Sequence, residues 1–355
     1  MKQRKSFAGV FSDTPYPRGY RVPPELGERI AAAHRTRPVL TVGAALLDHA
    51  VAMGAVLAAA AWAGPLPWPV RAVVYAVAAV VVGRQLRALE CLVHEGAHRN
   101  WTRKHRTAND VLAFVLAAAP TGASLPAYRT SHFQHHRRFG TTSDPDLERY
   151  AELDVEGMRR NSAAAFAADL LRRLPRYEAG WLRTLGSDPL LIAMPLTWPT
   201  VTALPAAASV IGWRRGATAL VCWILGYLVV LPVIRFAAES AEHVYSTADT
   251  VFDATVTNNG RFQRFAFHPH NDGFHTVHHL WPGIPHHALR RVHELLCARD
   301  ADGYGRRVLV RSALLDRPVA ADPTGGGPPR VVTGAGPRRR GAGAAGRVRQ
   351  AGRRG

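Results

Sequence analysis

Cysteine is nearly absent from this 355-residue chain. Cys91, Cys222 and Cys297 share no disulfide or metal-ligand spacing, which excludes a disulfide scaffold and a zinc ribbon. Acidic side chains are also few: 26 Asp and Glu stand against 45 Lys and Arg, for a formal charge of +19 that implies an acidic partner surface. Part of that excess sits in residues 321–355, where ten Gly, four Pro and eight Arg accompany almost nothing to bury. This stretch reads as a disordered basic tail, and without it the charge falls to +12. No aromatic residue is interleaved with its arginines, so nucleic acid is not expected as a partner. A cleavable leader is not expected either. Lys2, Arg4 and Lys5 make a basic start, but Ser12, Asp13, Pro15 and Pro17 interrupt the chain before an apolar core forms.

What the sequence has in quantity is apolar residues, 47% of the chain, gathered into runs. Four runs, about 40–64, 66–83, 189–212 and 217–238, each approach or reach the ~18–20 residues a helix needs to cross ~30 Å of hydrocarbon. They come in two closely spaced pairs, so each pair is expected to form a helical hairpin, with Trp62, Trp68, Trp198 and Trp213 as interfacial anchors. Basic residues crowd the N-terminal arm, residues 84–187 and everything after 239, which predicts both termini in the cytosol. Arg214 and Arg215 would then face outward, against that rule. The run from Val111 to Pro120 is too short to cross and reads as a re-entrant or interfacial helix. Between Asp144 and Asp188 a charged stretch that includes Glu156, Arg159, Arg160, Arg172 and Arg173 is expected to lie as an amphipathic segment on anionic lipid.

The expected organisation is thus a cytosolic arm over 1–39, a membrane domain over 40–297, an extension over 298–320 and the tail over 321–355. The fold class is an all-α integral membrane protein. Four transmembrane helices in two hairpins would carry a cytosolic helical cap holding a di-metal site.

Histidine supplies the chemistry. Of 17 histidines, eight fall in three groups: His94-Glu95-Gly96-Ala97-His98, His132-Phe133-Gln134-His135-His136 and His275-Thr276-Val277-His278-His279. Residues four apart share a helix face, so His94 and His98 can serve one centre. In H-x-x-H-H the pair three apart is expected to share a face, with the adjacent histidine turned about 100° toward a second centre. Eight imidazoles exceed the coordination number of one ion, so two metals are implied, and neutral imidazole suits iron, zinc, copper or nickel. All three groups follow apolar segments and would face the cytosol. A rival reading takes His94-Glu95-x-x-His98 as the zinc-protease signature with Glu95 as general base, but it leaves the other two groups idle. The bland reading makes the histidines surface or capping residues. His105, His268, His270, His286, His287 and His293 fit no motif and are expected at the surface or behind the site. Asp48 and His49, inside the first apolar run, carry no assigned role.

From about residue 40 to 297 these groups resemble the membrane fatty-acid desaturase superfamily, whose pattern of H-x(3–4)-H, H-x(2–3)-H-H and a later H-x(2–3)-H-H they match. Asp144-Pro145 after the second group resembles the Asp-Pro often found there. Glu239-Ser240-Ala241-Glu242-His243 stands where acyl-CoA desaturases carry an Asn-x-x-x-His element. The resemblance makes His243 a ninth ligand, with Glu239 in the asparagine's place. The third group also sits in a family-like setting, from Asn271 before it to Pro285 after it.

By that resemblance the chain is a di-iron, dioxygen-dependent fatty acyl desaturase. Its metal ligands are His94, His98, His132, His135, His136, His243, His275, His278 and His279. Glu95, Asp144, Glu239, Glu242 and Asn271 stand behind them. Two iron ions are the implied cofactors and dioxygen the co-substrate. A hydroxylase or ketolase acting on a lipid or terpenoid is the alternative. The substrate would be a lipid or acyl thioester, met at a bacterial plasma membrane with the active site on the cytosolic side. No His-Pro-Gly-Gly segment of cytochrome type is present, so a separate ferredoxin- or flavoprotein-type electron donor is expected.

Overall fold

The computed structural model describes residues 13–185 and 188–320; the basic tail and residues 1–12 of the arm lie outside the described residues. Among the described residues three helices are long and apolar enough to cross a membrane: α1 (Pro38–Trp62), α2 (Trp68–Ala97) and α4 (Trp213–Glu239). Pro38 opens α1, where its fixed φ suits the first turn and its missing N–H costs nothing. α2 outruns the apolar run that announced it. Its 30 residues span about 45 Å against ~30 Å of hydrocarbon, so its last turns project beyond the bilayer's apolar depth. Val39, Leu47, Val73, Val77 and Val221 point outward and exposed, and Trp62, Trp68 and Trp213 are exposed at helix ends, the surface that lipid would cover.

α2 and α4 meet through glycines. A Cβ on Gly226 would lie 2.7 Å from the Val82 Cβ and 2.8 Å from the Ala79 carbonyl oxygen, and one on Gly83 would lie 2.6 Å from the Val230 Cβ. α4 carries a π turn over Gly226–Val230 at this contact. Small residues let membrane helices approach closely where no hydrophobic force draws them together. Gly226→Val is therefore expected to destabilise the fold by about 1–3 kcal/mol through overpacking, read as a lower melting temperature in detergent. An unchanged melting temperature would show that the contact yields easily.

The third apolar run is helical but interrupted, as Pro189–Trp198, a π turn over Pro199–Ala203, and Leu204–Ile211. The run expected not to cross forms one arm of a bent pair: Arg106–Thr121 meets α3 (Leu125–Arg138) at 94°. Gly122 makes the corner at φ 70°, and Ser124 caps α3 by accepting from the Ala127 amide.

The expected amphipathic stretch is two helices, Pro145–Leu153 and Ala163–Leu185. Arg159 and Arg172 are exposed, while others are committed inside the protein. Arg173 is buried against the Leu153 carbonyl and the Asp154 carboxylate, Arg159 pairs with Asp169 at 3.0 Å, and Arg160 donates to the Ser240 carbonyl at 2.6 Å.

The chain is mostly helical, as expected of an all-α membrane fold, and carries one small sheet besides. β1 (Val256–Asn258) runs parallel to β2 (Leu309–Arg311), which pairs antiparallel with β3 (Val319–Ala320). Strands of two or three residues are too short to show an alternating pattern in sequence. Single bridges join His243 to Thr255 and Thr257 to Phe274, so β1 ties the loop after α4 to the segment entering α5 (His275–Leu280). Three hydrophobic clusters enclose this region: one among the long helices, one around Phe139, Tyr150 and Tyr245, and one around Phe252, Val277 and Tyr304.

Candidate metal centre

The end of α2, α3, α5 and the loop after α4 bring all nine predicted histidines into two adjoining groups. His94, His98, His132, His136 and His278 form the first, their donor atoms all within 4.8 Å of one another. His135, His243 and His279 form the second, and His275 joins it at 3.1 Å from both His243 and His279. α3 and α5 serve both groups. Their sorting corrects the sequence expectation: His132 with His136, and His275 with His279, share a group across four residues, while His135 and His278 turn to the other. Four residues advance a helix by about 400° and three by about 300°, so the four-apart pair is the better aligned and the third imidazole leaves the face.

The nitrogens converge more tightly than hydrogen bonding explains. His132 Nε2 lies 2.8 Å from Nε2 of both His94 and His98, and 3.0 Å from that of His136. His278 Nε2 lies 3.0 Å from Nε2 of both His94 and His136. A neutral imidazole has one N–H and one lone pair, so it cannot satisfy three such neighbours at once. Nitrogens about 2.1 Å from a shared ion and at right angles to each other would stand about 3.0 Å apart. The donor set therefore fits a cation at each group, and no cysteine joins either. Burial, followed by the neighbouring imidazoles, holds His243, His278 and His279 well below the usual histidine range. That shift favours the neutral imidazole, whose lone pair is the form a metal requires.

The fatty acid desaturase family profile matches residues 67–310, more than half of the chain and all nine histidines. The chain belongs to the fatty acid desaturase family. It is also 28% identical over 237 residues to dihydrorhizobitoxine desaturase of Bradyrhizobium elkanii, an alignment covering 62% of this chain and 67% of that one.

Behind the desaturase-type histidines, the expected supporting residues divide. Asp144 is fully buried and accepts from His135 Nδ1 at 2.8 Å while its carboxylate also caps the helix Pro145–Leu153. Glu242 offers an oxygen within 4.8 Å of His243 and His275, with Arg87 at 3.8 Å. Glu95, Glu239 and Asn271 are engaged elsewhere. Glu95 accepts from the His286 amide at 2.7 Å, because one residue past His94 the helix has turned about 100° from the histidine face. That commitment also argues against Glu95 as the general base of a zinc protease. The Glu239 carboxylate stands 3.8 Å from Arg149, and Asn271 bridges Arg264 and the His286 carbonyl.

Sequence reasoning missed Asp272, whose Oδ1 lies 3.3 Å from His94 Nδ1 and whose Oδ2 takes Arg87 at 2.7 Å. Arg87 was a usable signal: a charge in a long apolar helix, seven residues before His94 and so on the same face. His286 and His293 are buried, not at the surface. His286 meets the Thr41 hydroxyl at 3.2 Å and His293 the Tyr304 hydroxyl at 3.0 Å, and burial pushes them down to about 3 and about 4.

Proposed function

We propose that this chain is a membrane-bound, di-iron, dioxygen-dependent desaturase that introduces a double bond into the acyl chain of a lipid. The observation that carries the reading is the pair of adjoining all-imidazole groups. Nine imidazoles are too many for one ion, and a nitrogen-rich donor set with the Glu242 carboxylate at its edge suits a redox-active first-row metal. Family membership supports iron. The relative's name supports removal of hydrogen over insertion of oxygen.

Methylene C–H bonds do not yield to acid–base side chains, so bound iron would supply the oxidising power, drawing on dioxygen and two external electrons. The chain's own residues do the rest. The nine histidines present Nε2 lone pairs. Asp144 and Asp272 accept the Nδ1 protons of His135 and His94, which fixes tautomer and ring angle, and Arg87 holds Asp272 in place. Three packed clusters border the site, which leaves His98 and His136 partly exposed and buries the other seven histidines. We further propose four crossings with both termini cytosolic in a bacterial plasma membrane, counting the interrupted helix over 189–211 as the third. The cytosolic basic surface would dock a separate acidic ferredoxin- or flavoprotein-type donor.

Purified protein is expected to contain about two irons per chain, as nine imidazoles require more than one ordinary coordination sphere. A host expressing it should gain new unsaturated acyl chains by gas chromatography–mass spectrometry, only in the presence of dioxygen. One zinc per chain without iron, or a hydroxylated product in place of an alkene, would overturn the proposal.

A further inference from the structure

A second polar site lies beside the histidine groups, where α1 and α2 meet the helix Arg261–Ala266. A cavity of about 500 Å³ opens there, inside the range of roughly 300–1,000 Å³ common for small-molecule sites. Three arginines line it: Arg84, Arg261 and Arg264. Against them stands one acid, Asp48, which is already bonded to His270 at 2.7 Å and lies 3.8 Å from Arg84. No carboxylate is within ion-pairing distance of Arg261 or Arg264 among the described residues. Arg264 Nε is buried without a hydrogen-bond partner, although its Nη2 donates to Asn271 at 3.1 Å. Arg84 is committed to the Phe265 carbonyl and ring and Arg264 lies over the Phe274 ring, so the cavity's net positive charge and its open donor capacity rest on Arg261 and the Arg264 Nε.

Its rim is apolar and faces outward. Leu47 and Val51 line it from the exposed, lipid-facing side of α1, and Phe265 lines it from the short helix. Phe262 beside it is 72% exposed and Phe265 is 67% exposed, the pattern of side chains that enter a membrane interface. A cationic floor under a lipid-facing rim fits an amphiphile standing in the bilayer with an anionic head. Guanidinium groups match phosphate in particular, because their planar fork gives two parallel charge-assisted bonds.

We propose that this cavity binds the phosphate of an anionic phospholipid. His270 forms part of its wall and also lines the small enclosed space bounded by His94, Asp272 and His278. The head site thus abuts the five-histidine group. The inference rests on the proposed acyl-lipid reading in taking that phospholipid as the substrate class. Lipid binding and iron content are read separately, so each can fail alone.

The test uses the full chain in detergent, titrated with dioleoylphosphatidylglycerol or with dioleoylphosphatidylcholine, which has the same tails and no net charge. Bound lipid is counted by native mass spectrometry. The anionic lipid should bind at least about tenfold more tightly, and Arg261→Gln/Arg264→Gln should lose about that factor, the scale of one charge-assisted contact. Iron content should not change. Arg183→Gln, at an exposed arginine paired with Glu152 and away from the cavity, should bind as the parent does. If the double variant fails to fold, Arg261→Gln alone, at an exposed side chain, should still weaken binding about threefold. Equal binding of the two lipids, or undiminished binding in a folded variant, overturns the proposal. So does complete displacement by millimolar inorganic phosphate, which would mark a free-anion site, or by palmitoyl-CoA below the lipid's own concentration, which would mark a thioester entering from water.

Discussion

His278→Ala is expected to strip iron from the five-histidine group and to lower desaturation by more than about 100-fold, beyond the 10–100-fold typical of residues that only support a ligand. His278 is nearly fully buried, and its Nε2 stands 3.0 Å from those of both His94 and His136. No other donor on α5 faces that group, since His275 and His279 belong to its neighbour. The cavity left by the missing ring can admit water but not a fifth imidazole. Iron analysis together with oxygen consumption under turnover checks the result. His286→Ala is the control. It empties a buried position and should cost about 1–3 kcal/mol of stability, while iron stays bound because His286 belongs to neither histidine group and its ring nitrogen bonds the Thr41 hydroxyl. Full iron and full activity in His278→Ala would remove the basis of the di-iron proposal.

Asp144→Ala should be nearly as severe, for a different reason. One carboxylate orients His135, caps the helix Pro145–Leu153 through the Asp146 amide, and accepts from the Gly140 amide at 3.0 Å. Loss of the cap costs about 1 kcal/mol, and a buried amide left without an acceptor costs about 1–3 kcal/mol more. Iron affinity should fall by about 10–100-fold as His135 loses the partner that fixes its ring. Asp144→Asn keeps one acceptor oxygen, which can serve the cap, but turns an NH2 toward the Gly140 amide, so it should recover the cap's share of the stability while iron affinity stays reduced. Thermal unfolding and iron titration separate the two effects. Equal recovery of both in the asparagine variant would mean that the carboxylate charge does not matter to the ligand.

Much of this protein was legible because its strongest constraints are local. A helix that crosses a bilayer must be apolar along its whole length, so α1, α2 and α4 announce themselves in composition. Metal-ligating histidines on one helix must be spaced by its turn, so three of the four segments supplying the site declare themselves as motifs. His243 has no such motif, and only family resemblance pointed to it. Asp144 was found through the Asp-Pro that follows the second group, a pair that also begins a helix.

The sequence by itself marked eight of the nine histidines that converge, which segments are apolar enough to be membrane helices, and the expectation of more than one metal. Tertiary structure decided the division of nine histidines into five and four, because pitch says which residues share a face but only docking says what that face meets. It brought Asp272 to His94 and turned Glu95 toward His286, through contacts across roughly 180 and 190 residues of chain that no local pattern encodes. It also set β1 between His243 and His275, where backbone pairing, indifferent to side-chain pattern over three residues, holds two ligand-bearing segments together.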